Sequence, residues 1–482
     1  MKIIQRIYIA LFVVLCCLPL SLWAFFKNDV PIGKTALTEF PEWLDGNGIP
    51  DKNFSDKFDT YFTEHLIFRP QLVSCDNYFK AQLLKSDTAN VISGKDGYLF
   101  SVDTLDDYTG KTFSERKCHN IVQTLKLIQE KSEHTGNRFV FTVVPNKNTI
   151  YPQYMPDRYK KGRTSNLELL ETLCEKYGVH YCNLKRVLQF VDNELYLKRD
   201  THWNNLGAVY GVNALLESIG KEHKDYNGQS YTYEKKWRGD LDKLLYPCGG
   251  MYDNQYYFSH NYDDLIFLMP MLGNDKNAVM EELMGDAEKN DAMIKTLNNK
   301  ADGSLLMIRD SFGRAMLPYL TENYRRTEIT RSQPFALLTL TENTDVIYEI
   351  VERNLGNIVK SAPVMSAEEC EMPTVTEIVT DTTNRFYADK TDSYIKIYGI
   401  LNEKYFDTDS QIKICLTSEN FSKTFNAFPI CEYELMNTGN SDYGYSLMIS
   451  NDIPKGIYSI TAFVSKNNGE YISTDILGKL TR

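Results

Sequence analysis

Between residues 114 and 220 the chain alternates between two hydrophobic periods, and this restricts the fold more than any other feature. Ser114–Ser132 carries helical spacing, and Phe139-Val140-Phe141-Thr142-Val143-Val144 is a β-branched and aromatic run of strand type. Ser165–Lys176 returns to a helix, Val179–Leu184 to a short strand, and Gly207–Ile219 to a helix rich in alanine and leucine. Strand and helix in strict alternation are the pattern of an α/β layer fold. The same rhythm resumes with an apolar strand at Leu305–Ile308, a helix over 312–324 and a strand over 345–350. Residues 221–300 between them read as irregular, with the length of a lid or a substrate-binding insertion.

The ends of the chain behave differently. Lys2 and Arg6 precede an apolar run from Ile7 to Phe26, interrupted only by Pro19 and Ser21. About 20 such residues suffice to span a bilayer. Residues 1–29 are therefore expected to form an uncleaved signal anchor, with the bulk of a single-pass protein outside the cytoplasm. The alternative is a signal peptide cleaved near Ala24. Residues 30–56 read as a linker, 57–360 as the α/β domain and 361–380 as a second linker. From 381 to 482 helical periodicity disappears, and short alternating runs such as Gly456–Val464 predict a β-sandwich. Carbohydrate contact and packing against the first domain are both open to it.

A chain of 482 residues fits two or three domains. Its net charge of -11 leaves no broad basic surface, which argues against nucleic acid as a partner. Ten cysteines make no CxxC, so neither a zinc pattern nor a dense disulfide framework is present. Cys174 with Cys182 and Cys415 with Cys431 are spaced so that each pair could bridge.

The chemistry concentrates in two stretches. Asp200-Thr201-His202-Trp203-Asn204 places an acid and an imidazole two residues apart. A helix would not put them on one face, whereas a loop can turn both inward. Ser311 follows the Leu305–Ile308 strand, where open α/β folds place reacting groups. The expected site pairs Ser311 as nucleophile with His202 as base and Asp200 as the group that orients the base. The bland alternative for Ser311-Phe312-Gly313 is a turn or helix cap. Asn146 and Lys147 end another strand and join Arg69 as oxyanion or substrate-binding candidates. Trp203 is a candidate for stacking on sugar or for packing the histidine loop. Asp310 could compete with Asp200 for the orienting role. A divalent ion held by Asp200, His202 and Asp240 is the metal alternative, but without an H-E-x-x-H or His cluster the expectation is no metal and no cofactor.

Taken in order, Gly94-Lys95-Asp96-Gly97-Tyr98-Leu99-Phe100, Asp200-Thr201-His202-Trp203-Asn204, Gly239-Asp240-Leu241, Asp310-Ser311-Phe312 and Glu352-Arg353-Asn354-Leu355 resemble the SGNH-hydrolase-like family of alginate O-acetyltransferases, often called DHHW proteins. The resemblance covers about residues 55–360. It implies a three-layer α/β domain and an extracytoplasmic enzyme that O-acetylates an exopolysaccharide or cell-wall glycan through an acetyl-serine. Its triad matches Ser311, His202 and Asp200. It further implies a separate multispanning membrane O-acyltransferase that delivers the acetyl group. Two departures stand out. Arg309 occupies a position where the family usually has glycine, which could alter the oxyanion region, and Thr201 replaces the second histidine of the motif. An acetyl esterase using water, or a noncatalytic glycan-binding or assembly protein, are the competing expectations.

Overall fold

The computed structural model describes residues 2–23, 25–32, 36–46, 48–268, 275–284, 292–337, 341–431 and 442–482. Ala24, at the candidate cleavage site, lies outside them. A short hairpin joins β1 (Val91–Ser93) to β2 (Leu99–Ser101). Asp96 and Gly97 at its turn have φ of 50° and 81°, the left-handed geometry that a tight hairpin turn requires.

The α/β core begins with β3 (Arg138–Val144) and β4 (Tyr181–Cys182). An exposed hairpin follows, β5 (Tyr231–Trp237) and β6 (Asp253–Phe258). The sheet is then completed by β7 (Leu265–Phe267), β8 (Met293–Asn298), β9 (Asp302–Ile308), β10 (Tyr324–Thr330) and β11 (Thr344–Val351). Seven strands lie in the order β4-β3-β11-β9-β10-β8-β7. The five from β4 to β10 are parallel, and β8 and β7 add an antiparallel edge.

Alternation along the strands divides the core into two layers. Val140, Val144, Leu305, Met307 and Ile347 face helices Asn205–Ser218 and Leu317–Asn323. Phe139, Phe141, Val143, Ile308 and Val346 face helices Glu115–His134 and Asn166–Tyr177. This is the expected three-layer α/β arrangement. Cys174 and Cys182 belong to opposite layers, and every described cysteine is free.

Local chemistry fixes the helix starts. Asn204 accepts from Gly207 N at 2.9 Å and caps Asn205–Ser218. A side chain at position 207 would meet the Leu195 carbonyl at 2.5 Å, so only glycine fits there. The single helix expected over 312–324 is a 3₁₀ turn, Phe312–Met316, followed by Leu317–Asn323, with Pro318 in the first turn of the second segment. Earlier in the chain, helices Phe54–Glu64 and Arg69–Tyr78 are parted at a left-handed Phe68 with φ of 61° before Arg69-Pro70.

Beyond residue 360 two further sheets pack face to face. Among the described residues one has seven strands, including Ile412–Ser418 and Ile457–Ser465, and the other has four, including Tyr394–Ile400 and Gly444–Ser450. Ile395, Ile414, Leu447 and Ile460 fill the space between them. Glu369–Cys370 and Val375–Val379, within the stretch read as a linker, are strands of the larger sheet. The sandwich docks on helix Glu115–His134: Arg116 donates to the Ser410 carbonyl at 2.5 Å, and Asn120 to the Asp442 carbonyl at 2.9 Å.

The N-terminal expectation is corrected. Residues Lys2–Trp23 form a helix, and Trp23 packs edge-on against Tyr61 and Phe62. Among the described residues, however, no helix is long and apolar enough to cross a membrane. The transmembrane anchor, the single-pass topology and the membrane localisation drawn from it are withdrawn.

Candidate active site

Three strand ends meet at the site, those of β3, β11 and β9. The turn after β9 is held by carboxylates. Asp310 N donates to Glu349 Oε2 at 3.1 Å. The Asp310 carboxylate accepts from Phe312 N at 2.9 Å, Val351 N at 2.8 Å and Asn354 Nδ2 at 3.0 Å. Asp310 thus pins the serine turn to the end of β11 and does not orient the histidine. Burial, with the nearby Asp310 charge, pushes the Glu349 carboxyl well above its usual range.

Ser311 Oγ lies 2.8 Å from His202 Nε2, and His202 Nδ1 lies 2.7 Å from Asp200 Oδ1. The same Oδ1 accepts from His202 N at 2.9 Å. Asp200 Oδ2 accepts from the Trp237 indole N–H at 2.9 Å and from Asp240 N at 3.1 Å. Burial alone would raise the Asp200 carboxyl, but the His202 charge and the hydrogen bonds from His202 and Trp237 outweigh it and hold the carboxyl well below its usual range. An ionised Asp200 only accepts, so Nδ1 carries a proton and Nε2 is left to accept from Ser311 Oγ–H. Phe312 closes over the imidazole, with ring centroids 4.7 Å apart.

Asp240 holds the loop from the other side. Its carboxylate accepts from Thr201 N at 2.7 Å and Thr201 Oγ1 at 2.6 Å, and its Oδ2 stands 3.7 Å from His202 Nδ1. Ligand atoms of Asp200, His202 and Asp240 fall within 4.8 Å of one another. The carboxylate oxygens of both acids already accept hydrogen bonds from backbone, hydroxyl and indole donors.

Of the remaining sequence candidates, Trp203 alone lines a recess beside Ser311 among the described residues. Lys147 is buried and donates to three carbonyls, of Leu197 at 2.9 Å, Lys198 at 2.9 Å and Asp200 at 2.6 Å. Burial lowers its ammonium to about 8. It ties down the Asp200 loop and does not point at Ser311. Asn146 is buried and its N–H donates to Glu352 Oε2 at 2.7 Å. Trp203 is 2% exposed, packs on Gly211 and donates to the Phe312 carbonyl at 3.1 Å, so it clamps the serine turn to the histidine loop. Arg309 is buried behind the turn, donating to the Asp310 carbonyl at 3.0 Å. Arg69 opens helix Arg69–Tyr78 and is not among the residues lining the recesses around Ser311.

Ser311 and His202 separate two recesses. One is lined by Asp103, Asp240, Lys243 and Arg353. The other is lined by Trp237, Gln255, Met284 and Arg314. Sequence reading did not single out Trp237 or Arg314. Trp237 lies three residues before Asp240 in a stretch read as irregular, and only its nearness to Gly239-Asp240-Leu241 could have signalled it.

Residues 91–248 match a family described as SGNH hydrolase-like domain, acetyltransferase AlgX. The chain carries an SGNH-hydrolase-like domain related to the AlgX, AlgJ and DHHW proteins. The match includes Asp200 and His202 and ends before Ser311. The chain is 24% identical over 182 residues to a probable alginate O-acetylase AlgJ of Pseudomonas syringae pv. tomato, covering 36% of this chain and 45% of that protein. It is 27% identical over 177 residues to the corresponding protein of Pseudomonas aeruginosa, covering 34% and 42%. The chain thus spans less than half the length of these curated relatives. A DHHW family protein from Eubacterium siraeum aligns in structure at 16% identity with a TM-score of 0.43, covering 57% of this chain and 100% of that one. The relationship is to the SGNH-like acyltransferases and esterases.

Proposed function

We propose that the protein is an O-acetyltransferase that moves an acetyl group from an activated ester donor to a hydroxyl of a polysaccharide through an acetyl-Ser311 intermediate. The observation that carries this reading is the 2.8 Å approach of Ser311 Oγ to His202 Nε2, with Asp200 on the far ring nitrogen. His202 takes the proton as Oγ bonds to the acyl carbon. The bond from that carbon to the donor's leaving group then breaks, and His202 returns the proton to the leaving group. A sugar hydroxyl next attacks the acetyl-serine, its proton passing to His202 and on to Ser311 Oγ as the acyl–Oγ bond breaks. The resemblance to alginate O-acetylases supports a polysaccharide acceptor and a membrane-embedded O-acyltransferase as the source of acetyl groups.

Acetyl transfer from a small ester donor to a panel of oligosaccharides tests the proposal, with Ser311→Ala as control. Transfer that disappears in the variant supports it. Transfer that persists overturns it, and acetyl release to water alone, with every oligosaccharide left unmodified, makes the protein an esterase.

A further inference from the structure

The recess that holds Trp237 and Met284 does not end beside Ser311. Through Asn205, Trp237 and Met284 it opens into a longer groove between the β5–β6 hairpin and helix Lys276–Met284. Its walls combine aromatic rings with polar side chains: Tyr257, Tyr262 and Trp237 beside Thr232, Glu234 and Asn277.

The hairpin's sequence explains how these side chains come together. Thr232, Glu234 and Lys236 alternate along β5, so they share one face. Tyr257 pairs with Thr232 across the ladder and joins that face. Trp237, next after Lys236, would ordinarily point the other way. The register shifts between Lys235 and Trp237, and such an irregularity re-aims the following side chain. Trp237 therefore lines the groove together with Lys236. Tyr257 is 38% exposed, an aromatic ring held on the surface without a place in the core.

Rings flanked by hydrogen-bonding groups suit a saccharide, whose C–H faces stack and whose hydroxyls bond. The charges of the lining restrict which saccharide. Lys236 is ion-paired with Glu234, and His260 lies 2.8 Å from Glu322. Glu281 adds a further carboxylate to the wall. A polymer bearing a carboxylate on each sugar would meet like charge along this path.

We infer that this groove is the acceptor subsite and that it takes an electroneutral, hydroxyl-rich oligosaccharide segment, delivering one hydroxyl past Trp237 to Ser311. The inference rests on the transferase reading for its consequence, but its binding half is measured separately. The full chain carrying Ser311→Ala is titrated by calorimetry with neutral hexasaccharides of glucose, mannose, galactose and N-acetylglucosamine, and with a glucose hexasaccharide oxidised to a carboxylate at every C6. At least one neutral hexasaccharide is expected to bind about tenfold or more tighter than the oxidised one. Adding Tyr257→Ala, with folding checked by thermal melting, is expected to weaken that binding about tenfold, the loss of one stacking ring. Tighter binding of the oxidised hexasaccharide, binding of none of the neutral ones, or binding indifferent to Tyr257→Ala overturns the inference. Failure of the wild-type protein to form an acetyl-serine, with saccharide binding intact, would sink the catalytic reading and leave the groove assignment standing.

Discussion

The indole N–H of Trp237 donates to Oδ2 of Asp200 over 2.9 Å, which ties the exposed β5–β6 hairpin to the acid that orients His202. Trp237→Phe keeps a ring and removes the donor. Acetyl transfer is expected to fall about tenfold, and stability by about 2 kcal/mol at neutral pH, the scale of a hydrogen bond to a charged group. The depressed Asp200 carboxyl contributes stability that is present above the ordinary carboxyl range and lost as pH falls through its lowered value. Urea denaturation should therefore show the gap between wild type and variant narrowing in acid. A gap of constant size would mean that the indole acts only by packing.

Lys147 offers a second way to disturb the same loop. It donates to three carbonyls around residues 197–200 and is buried. Lys147→Met leaves those acceptors unpaired, and a loss of about 3 kcal/mol is expected in denaturant melts. Were Lys147 a donor to the reacting oxygen instead, activity would fall without loss of stability.

Asp310 shows how much of this was legible beforehand. The sequence places a serine just past a buried strand and an acid and histidine in one loop, and the structure brings Ser311, His202 and Asp200 within hydrogen-bond reach. The α/β alternation was legible because β3, β9 and β11 are buried and their apolar runs are dense. The hairpin β5–β6 was not, since Tyr231–Trp237 is largely exposed and polar, with no core face to impose a period on it. The contacts of Asn146, Lys147 and Arg309 were not legible beforehand. Each follows a strand at the correct sheet end, but the Asn146 N–H and the Lys147 ammonium turn to carboxyl and carbonyl partners far away in sequence, and the Arg309 guanidinium turns back to the adjacent Asp310 carbonyl. The N-terminal run was read from composition alone, and its described side chains supply no spanning helix.

The partners of Asp310 are backbone and amide donors, so its removal should act on position. Asp310→Ala is expected to cost about 1–2 kcal/mol, like the loss of a cap, and to lower transfer about a hundredfold by letting Ser311 drift. The check is a fall in kcat with little change in donor KM. An effect confined to KM would argue that Asp310 meets the donor.

Glu352, buried, and Asp107, half-buried, form a carboxyl pair just beyond the end of β11. Burial and the neighbouring Asp107 push Glu352 well up, so the folded protein keeps a proton there that the unfolded chain releases. Stability from this group is full below the ordinary carboxyl range and is lost as pH rises toward the raised value. Glu352→Gln cannot titrate. Its stability relative to wild type should rise with pH across that window, by up to about 1.4 kcal/mol per pH unit. Parallel stability curves would mean that Glu352 does not hold the proton.

The account depends most on Ser311 as the atom that carries the acetyl group. Intact-mass and peptide-mass analysis after a brief exposure to a small acetyl ester measures this directly. One added acetyl group, mapped to Ser311, absent from Ser311→Ala and strongly reduced in His202→Ala, is the predicted result. Acetyl turnover that persists in Ser311→Ala, or a stable acetyl group on another residue that turns over with substrate, would contradict it.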